Sequence, residues 1–148
     1  MFNTLLKTTD DSAILILRLV LGVVFFAHGA QKMLGWFGGY GFHGTMGFFT
    51  NAMHIPAAFA FLAIAAEFFG ALGLITGLLS RVAAFGIFSV MAVAVGMIHS
   101  HVGFFMNWNG VTPPAEGFEY HLLAMAMAVA VMIKGSGALS LDRMIVKD

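Results

Sequence analysis

The sequence predicts an all-α, polytopic membrane protein, a bundle of four transmembrane helices. Of its 148 residues, 60% are hydrophobic and 9% are charged, whereas soluble domains carry about 25% charged residues. Four segments are apolar over enough length to cross a hydrocarbon core about 30 Å thick, which takes about 20 helical residues. A chain of this length is expected to form one domain, so we assign residues 1–148 to a single four-helix unit.

The four predicted spans differ in how they begin and how they are connected. Asp11 and its neighbours suit the N-cap of the first span, and Pro56 suits the first turn of the second. Little more than Ser80 and Arg81 separates the second span from the third, so these two are expected to be antiparallel neighbours. The approximate bounds are 12–34, 56–79, 81–99 and 117–134.

Lysine and arginine predict the orientation. The connections 35–55 and 100–116 contain neither residue, and Lys32 lies at the edge of the first. By the positive-inside rule, we expect a multi-pass protein of the cytoplasmic (inner) membrane, surrounded by the lipid bilayer, with both termini in the cytoplasm. The basic residues on the predicted cytoplasmic side are Lys7, Arg81, Lys134, Arg143 and Lys147.

Charge and cysteine content exclude several classes of protein. Seven lysines and arginines balance seven acidic residues, which excludes a basic nucleic-acid-binding protein and a disordered acidic tail. The chain has no cysteine, so it forms no disulfide, thiolate nucleophile or iron–sulfur cluster.

Charged residues within the spans are few. A charge at the bilayer centre costs at least about 2.5–3.5 kcal/mol, so such residues face the bundle interior and usually have partners. At 100° per residue, Arg18 and Lys32 share one stripe of the first span with Gly22 and Gly29, and small residues flank Glu67 in the second. We therefore expect these spans to pack closely, with a buried polar contact between Arg18 and Glu67.

Two interpretations of that contact stay open. In one, Arg18 and Glu67 form a structural ion pair that joins two helices. In the other, Glu67 is a carboxylate that carries protons or contacts a quinone.

Histidines mark one side of the predicted bundle. All six histidines map to the outer half or to the outer connections, and imidazole both shuttles protons near neutral pH and binds metals. We predict that a group near the outer helix ends binds a small polar ligand or a quinone, with a divalent metal as an alternative. Since no metal-binding motif is present, no metal ligand is assigned. The group comprises His28, Lys32, His99, Glu119 and His121.

Several motifs resemble those of the DoxX family of small four-span membrane proteins. In the first two spans they are Arg-Leu-Val-Leu-Gly at 18–22, His-Gly-Ala-Gln-Lys at 28–32, Glu-Phe-Phe-Gly-Ala-Leu-Gly-Leu at 67–74 and Gly-Leu-Leu-Ser-Arg at 77–81. Later ones are Asn-Gly at 109–110, Glu-Tyr at 119–120 and Gly-Ser-Gly-Ala-Leu-Ser-Leu-Asp at 135–142. Segments 76–81 and 137–143 also resemble each other, as if each half of the chain were one hairpin.

The resemblance implies a subunit of an oxidoreductase, and some members are linked to membrane complexes that handle thiol or oxidative stress. It does not imply thiosulfate oxidation, because the large subunit of the thiosulfate:quinone oxidoreductase is of the related, longer DoxD type. If the family's polar positions are functional, they correspond here to Arg18, His28, Lys32, Glu67 and Glu119.

We therefore predict an accessory or quinone-interacting subunit of a membrane redox system. Glu67, Arg18 and His28 are its candidate catalytic residues, while Lys32, His99, Glu119 and His121 are its candidate ligand-binding residues. A partner redox subunit would supply electrons, and a homo-oligomer is compatible with the sequence.

Two other functions stay open, and with them the question of whether the chain is an enzyme. One is a scaffold, chaperone or carrier for lipid or protein partners. The other is a transporter of a small solute or metal.

Overall fold

The structure, a computed structural model, describes residues 2–110 and 115–146. Every regular element in those residues is helical, which confirms the all-α class. The helices are α1 (Phe2–Leu6), α2 (Ser12–Leu34), α3 (Gly41–Gly47), α4 (Ala57–Thr76), α5 (Ser80–Met97), α6 (Glu119–Lys134) and α7 (Leu141–Ile145). Shorter turns of helix cover Trp36–Gly38, Phe48–Ala52 and His99–His101.

Helices α2, α4, α5 and α6 pack as a ring in chain order, and α6 closes the ring against α2. Helices α2, α4 and α5 are long and apolar enough to cross a membrane, as the first three predicted spans require. Helix α6 has 16 residues, about 24 Å at 1.5 Å per residue, which is shorter than the hydrocarbon core. The fourth crossing therefore stays a prediction.

The predicted start of the first span is confirmed in detail. The Asp11 carboxylate accepts hydrogen bonds from the backbone nitrogens of Ala13 (2.8 Å) and Ile14 (3.3 Å), so it caps α2. Pro56 precedes the first residue of α4. Residues 77–79 alone connect α4 to α5, as expected for antiparallel neighbours.

Glycines bring α2 and α4 into close contact. A Cβ atom added at Gly29 would lie 2.7 Å from backbone atoms of Phe68, and one added at Gly22 would lie 2.9 Å from the side chain of Ile75. The predicted packing of these two helices through small residues is confirmed. The register is also fixed, because Gly29 faces the backbone at Glu67 and Phe68.

Arg18 lies at the short-loop end of the bundle, defined as the end that holds residues 77–79. Its side chain is 1% exposed. Its guanidinium joins the end of α4 to the segment after α6 by donating five hydrogen bonds to backbone carbonyls. The acceptors are Leu74 (2.6 Å), Ile75 (2.8 Å), Ser136 (2.6 Å), Ala138 (3.2 Å) and Leu139 (2.8 Å).

Asp142 holds the same end together from the other side. Its buried carboxylate accepts hydrogen bonds from the backbone nitrogens of Leu79 (2.7 Å) and Ser80 (3.1 Å). It also accepts one from the Ser136 hydroxyl. The α4–α5 turn and the segment after α6 are thereby locked to each other.

The two similar sequence segments adopt similar backbones. Gly77 (φ 71°) and Leu79 (φ 50°) match Gly137 (φ 73°) and Leu139 (φ 47°). A serine follows each leucine: Ser80 is the first residue of α5, and Ser140 is the N-cap of α7. Arg81 donates to carbonyls at the end of α6, including that of Ile133 at 3.0 Å, much as Arg18 does at the end of α4. Each hairpin, α2–α4 and α5–α6, thus uses an arginine of its first helix to cap its second.

The opposite, long-loop end is formed by residues 35–56 and by the described parts of 98–118. Helix α3 packs there against α2 and α4. The basic residues used for the orientation gather instead at the short-loop end, with Lys134 ending α6 and Arg143 paired with Asp10. Lys147 lies outside the described residues.

Candidate functional site

Lys32 and Glu67 form an ion pair between α2 and α4. The Lys32 Nζ atom lies 2.5 Å from Glu67 Oε2, and the Glu67 side chain is 5% exposed against 26% for Lys32. Gly29, one turn before Lys32, lets α2 approach the backbone of α4 at this level. The burial of Glu67 within the helix contact agrees with the sequence pattern, but its partner is Lys32.

The predicted contact between Arg18 and Glu67 is wrong. The α2–α4 register places Gly22 against Ile75, so Arg18, one turn before Gly22 in α2, reaches the last carbonyls of α4. Glu67 lies two turns earlier on α4, against Gly29. We assign Arg18 a structural role.

A cleft of about 260 Å³ opens beside the ion pair at the long-loop end. Lys32 and Gln31 of α2 form one wall, while aromatic side chains and glycines of the first long connection form the rest. Thr45 of α3 is buried in it. The lining residues are Gln31, Lys32, Gly38, Gly39, Tyr40, Thr45, Phe48 and Phe49.

His28 lies near this pair on the exposed side of α2. Its ring centroid is 6.4 Å from that of Phe25. Since His28 precedes Lys32 by four residues, the two occupy neighbouring turns of one helix face.

His99 and His121 form a second group, between the end of α5 and the start of α6. Their ring centroids are 4.0 Å apart, and His99 Nδ1 lies 2.7 Å from the Glu116 carbonyl oxygen, to which it donates. Two imidazoles on one tetrahedral metal ion, with bonds of about 2.0–2.1 Å, would hold their centroids roughly 5 Å apart. The described residues contain no group of three metal-binding side chains, and the two imidazoles form a close pair of rings whose planes are tilted by 40°.

Glu119 turns away from both groups. Its Oε1 atom accepts hydrogen bonds from the Met106 backbone nitrogen (2.9 Å) and from Trp108 Nε1 (2.6 Å). The carboxylate therefore anchors the second long connection to the start of α6.

The single ligand group expected from the sequence is thus two groups, with Glu119 in neither. The rings of Phe25 and Tyr120 lie between them, since Phe25 contacts His28 and Tyr120 contacts His121. Sequence reasoning missed Tyr120, whose position between Glu119 and His121 in the first turn of α6 was the available signal. It also missed the cleft, because no pattern reveals how a glycine-rich connection folds.

The DoxX family model matches residues 13–100, more than half of the chain. The chain belongs to the DoxX family. Arg18, Lys32 and Glu67 of this DoxX protein lie in the matched range, whereas α6 follows it. The chain is also 29% identical over 133 residues to "Putative oxidoreductase CatD" of Bacillus subtilis (strain 168), covering 90% of this chain and 87% of that relative. No solved structure matches. These findings, with the apolar helices, establish a membrane protein of the DoxX family.

Proposed function

We propose that this DoxX protein is the membrane subunit of a redox system and binds a quinone, or a small polar ligand with similar acceptor atoms, beside Lys32. The observation that carries the proposal is the Lys32–Glu67 ion pair at the edge of an aromatic-lined cleft. The family and the oxidoreductase name of the Bacillus relative support the link to redox chemistry.

The size of the cleft favours one ring as the bound group. Pockets for drug-sized ligands measure about 300–1,000 Å³, and this cleft measures about 260 Å³. It would take the head group of a quinone, with Phe48 and Phe49 beside the ring, while an isoprenoid tail stays in the lipid.

The ion pair has the chemistry that quinone reduction needs. Reduction of a quinone to a hydroquinone adds two electrons and two protons. The Lys32 ammonium has three N–H donors, so it can donate to a ring oxygen while it stays paired with Glu67. Glu67 would give one proton to the quinone and His28 the second, and a partner redox subunit would supply the two electrons.

We place the protein in the cytoplasmic membrane, with the short-loop end in the cytoplasm. Lys7, Arg81, Lys134 and Arg143 support this orientation, because all four lie at that end. The cleft would then open on the outer side.

Quinone binding is tested with the purified chain in lipid nanodiscs and a short-chain quinone, followed by quenching of tryptophan fluorescence. Replacing Lys32 with methionine should raise the Kd about tenfold or more, since a lost charge-assisted hydrogen bond contributes about 1.5–3 kcal/mol. The double variant Lys32→Met/Glu67→Gln should show the same loss without leaving a carboxylate unpaired.

The matched control is Lys134→Met, which removes an exposed lysine at the other end of the bundle. Its Kd should equal that of the unaltered chain. Equal Kd values for Lys32→Met and Lys134→Met would contradict the proposal. Absence of quinone binding in the unaltered chain, with reduced accumulation of both Lys32 variants, would indicate a scaffold instead.

A further inference from the structure

Two polar atoms in the first turn of α6 are buried without a hydrogen-bond partner. They are the Tyr120 hydroxyl and His121 Nδ1, and His121 is 6% exposed. A buried polar group left without a partner costs about 1–3 kcal/mol. Native proteins leave few such groups unpaired, and those that remain call for an explanation.

These atoms belong to a row of side chains that begins near Glu67. The Tyr120 ring stacks on Phe25, with centroids 6.5 Å apart and planes at 21°. Phe25 lies one turn from Gly29, which contacts the backbone at Glu67. These contacts place the phenol and the ion pair in one region of the bundle interior.

The row continues from Tyr120 to the long-loop end. The Tyr120 and His121 centroids are 5.6 Å apart, and those of His121 and His99 are 4.0 Å apart. His99 ends the row with its Nδ1 bonded to the carbonyl of Glu116, an exposed residue.

We propose that Tyr120, His121 and His99 carry protons between the Lys32–Glu67 ion pair and the long-loop end of the bundle. The proposal rests on the proposed function, for which the ion pair exchanges protons with its ligand. Protonated Glu67 gives its proton to the phenol oxygen as the phenol O–H proton passes to His121. His121 passes a proton to His99, and His99 releases one beside Glu116. One proton enters, one leaves, and no electrons move.

The ring separations exceed hydrogen-bond length, so each transfer requires side-chain rotation or a bridging water. Phenol and imidazole suit such transfer, because each both donates and accepts a proton. The other titratable groups that face this row are His28 and Lys32 from α2, Glu116 from the second long connection and Glu119 at the start of α6. Glu119 is already bonded to Met106 and Trp108.

The test measures how fast Glu67 takes up a proton when the bath around the lipid-embedded protein is acidified. Infrared spectroscopy identifies the protonated carboxyl band of Glu67 as the one lost in Glu67→Gln. Tyr120→Phe keeps the ring that stacks on Phe25 and removes only the hydroxyl. We expect Tyr120→Phe to lower the rate at which this band grows about a hundredfold, the lower end of what a positioned proton-transfer group contributes. The final amplitude of the band should be unchanged.

Ser89→Ala is the matched control, because it removes a hydroxyl that bonds only within α5, to the carbonyl of Phe85. It should leave the rate unchanged, whereas His121→Gln should slow it like Tyr120→Phe. An unchanged rate in Tyr120→Phe, or a Glu67 that never takes up a proton, would overturn the path. No quinone is used, so this result is independent of whether quinone binding succeeds.

Discussion

Replacing Arg18 with methionine is expected to prevent the chain from accumulating as a folded protein. Arg18 is 1% exposed and is the donor to five backbone carbonyls at the short-loop end. Each buried acceptor left without a donor costs about 1–3 kcal/mol. The total loss should exceed about 3 kcal/mol, a large part of the 5–15 kcal/mol that stabilises a typical protein. This loss of stability is measured by the amount of protein that accumulates in the membrane and by the thermal unfolding midpoint in detergent.

Arg143→Met is the matched control for this experiment. Arg143 is also paired at the short-loop end, but its side chain is 47% exposed and that of its partner Asp10 is 64% exposed. Such surface pairs contribute about 0–1 kcal/mol, so the control should accumulate normally. A chain with Arg18→Met that is as stable as the control but has lost redox activity would instead make Arg18 a catalytic residue.

The sequence predicts which faces of α2 and α4 meet, but not their register. Helical periodicity and small residues locate the contact faces, since a stripe repeats every 3.6 residues whatever surrounds it. The register depends on the level along α2 at which the long connection 35–56 places the first residue of α4. Counting inward from each helix end assumes that the ends are level. Helix α4 instead begins beyond the end of α2, so Glu67, ten residues into α4, meets Lys32, two residues from the end of α2.

The second group shows a different limit of sequence reasoning. Because these histidines lie near helix ends, the sequence predicts that they share one level of the bundle. It does not predict the angle around the bundle axis at which each one lies. His99 and His121 meet because α5 and α6 are neighbours, whereas His28 lies on another helix. Glu119 does not join the ligand group, because its carboxylate accepts hydrogen bonds from backbone and indole donors of the connection that precedes α6.

Helix α3 is beyond prediction from local sequence. Three of its seven residues are glycine, the poorest helix former after proline. Packing against α2 and α4 stabilises it, and the cleft depends on that packing because α3 contributes Thr45 to the lining.

Gly29→Ala is expected to destabilise the protein and to open the ion pair. The added Cβ would lie 2.7 Å from the Cα and nitrogen atoms of Phe68. This steric clash is relieved only if the backbone of α4 moves. Overpacking of this kind costs about 1–3 kcal/mol. Because Glu67 precedes Phe68, the displacement would also lengthen its contact with Lys32. We expect a lower unfolding midpoint and weaker quinone binding in the same variant.

The same substitution at Gly96 separates this contact from the general effect of replacing a helical glycine. A Cβ at Gly96 meets nothing within 4 Å, and alanine is favoured over glycine in helices by up to about 1 kcal/mol. Gly96→Ala should therefore leave the midpoint unchanged or raise it, and quinone binding should not change. Close α2–α4 packing requires that Gly29→Ala lower the unfolding midpoint while Gly96→Ala does not. Equal effects would mean that the two helices lie further apart and that Lys32 and Glu67 are held together by their charges alone.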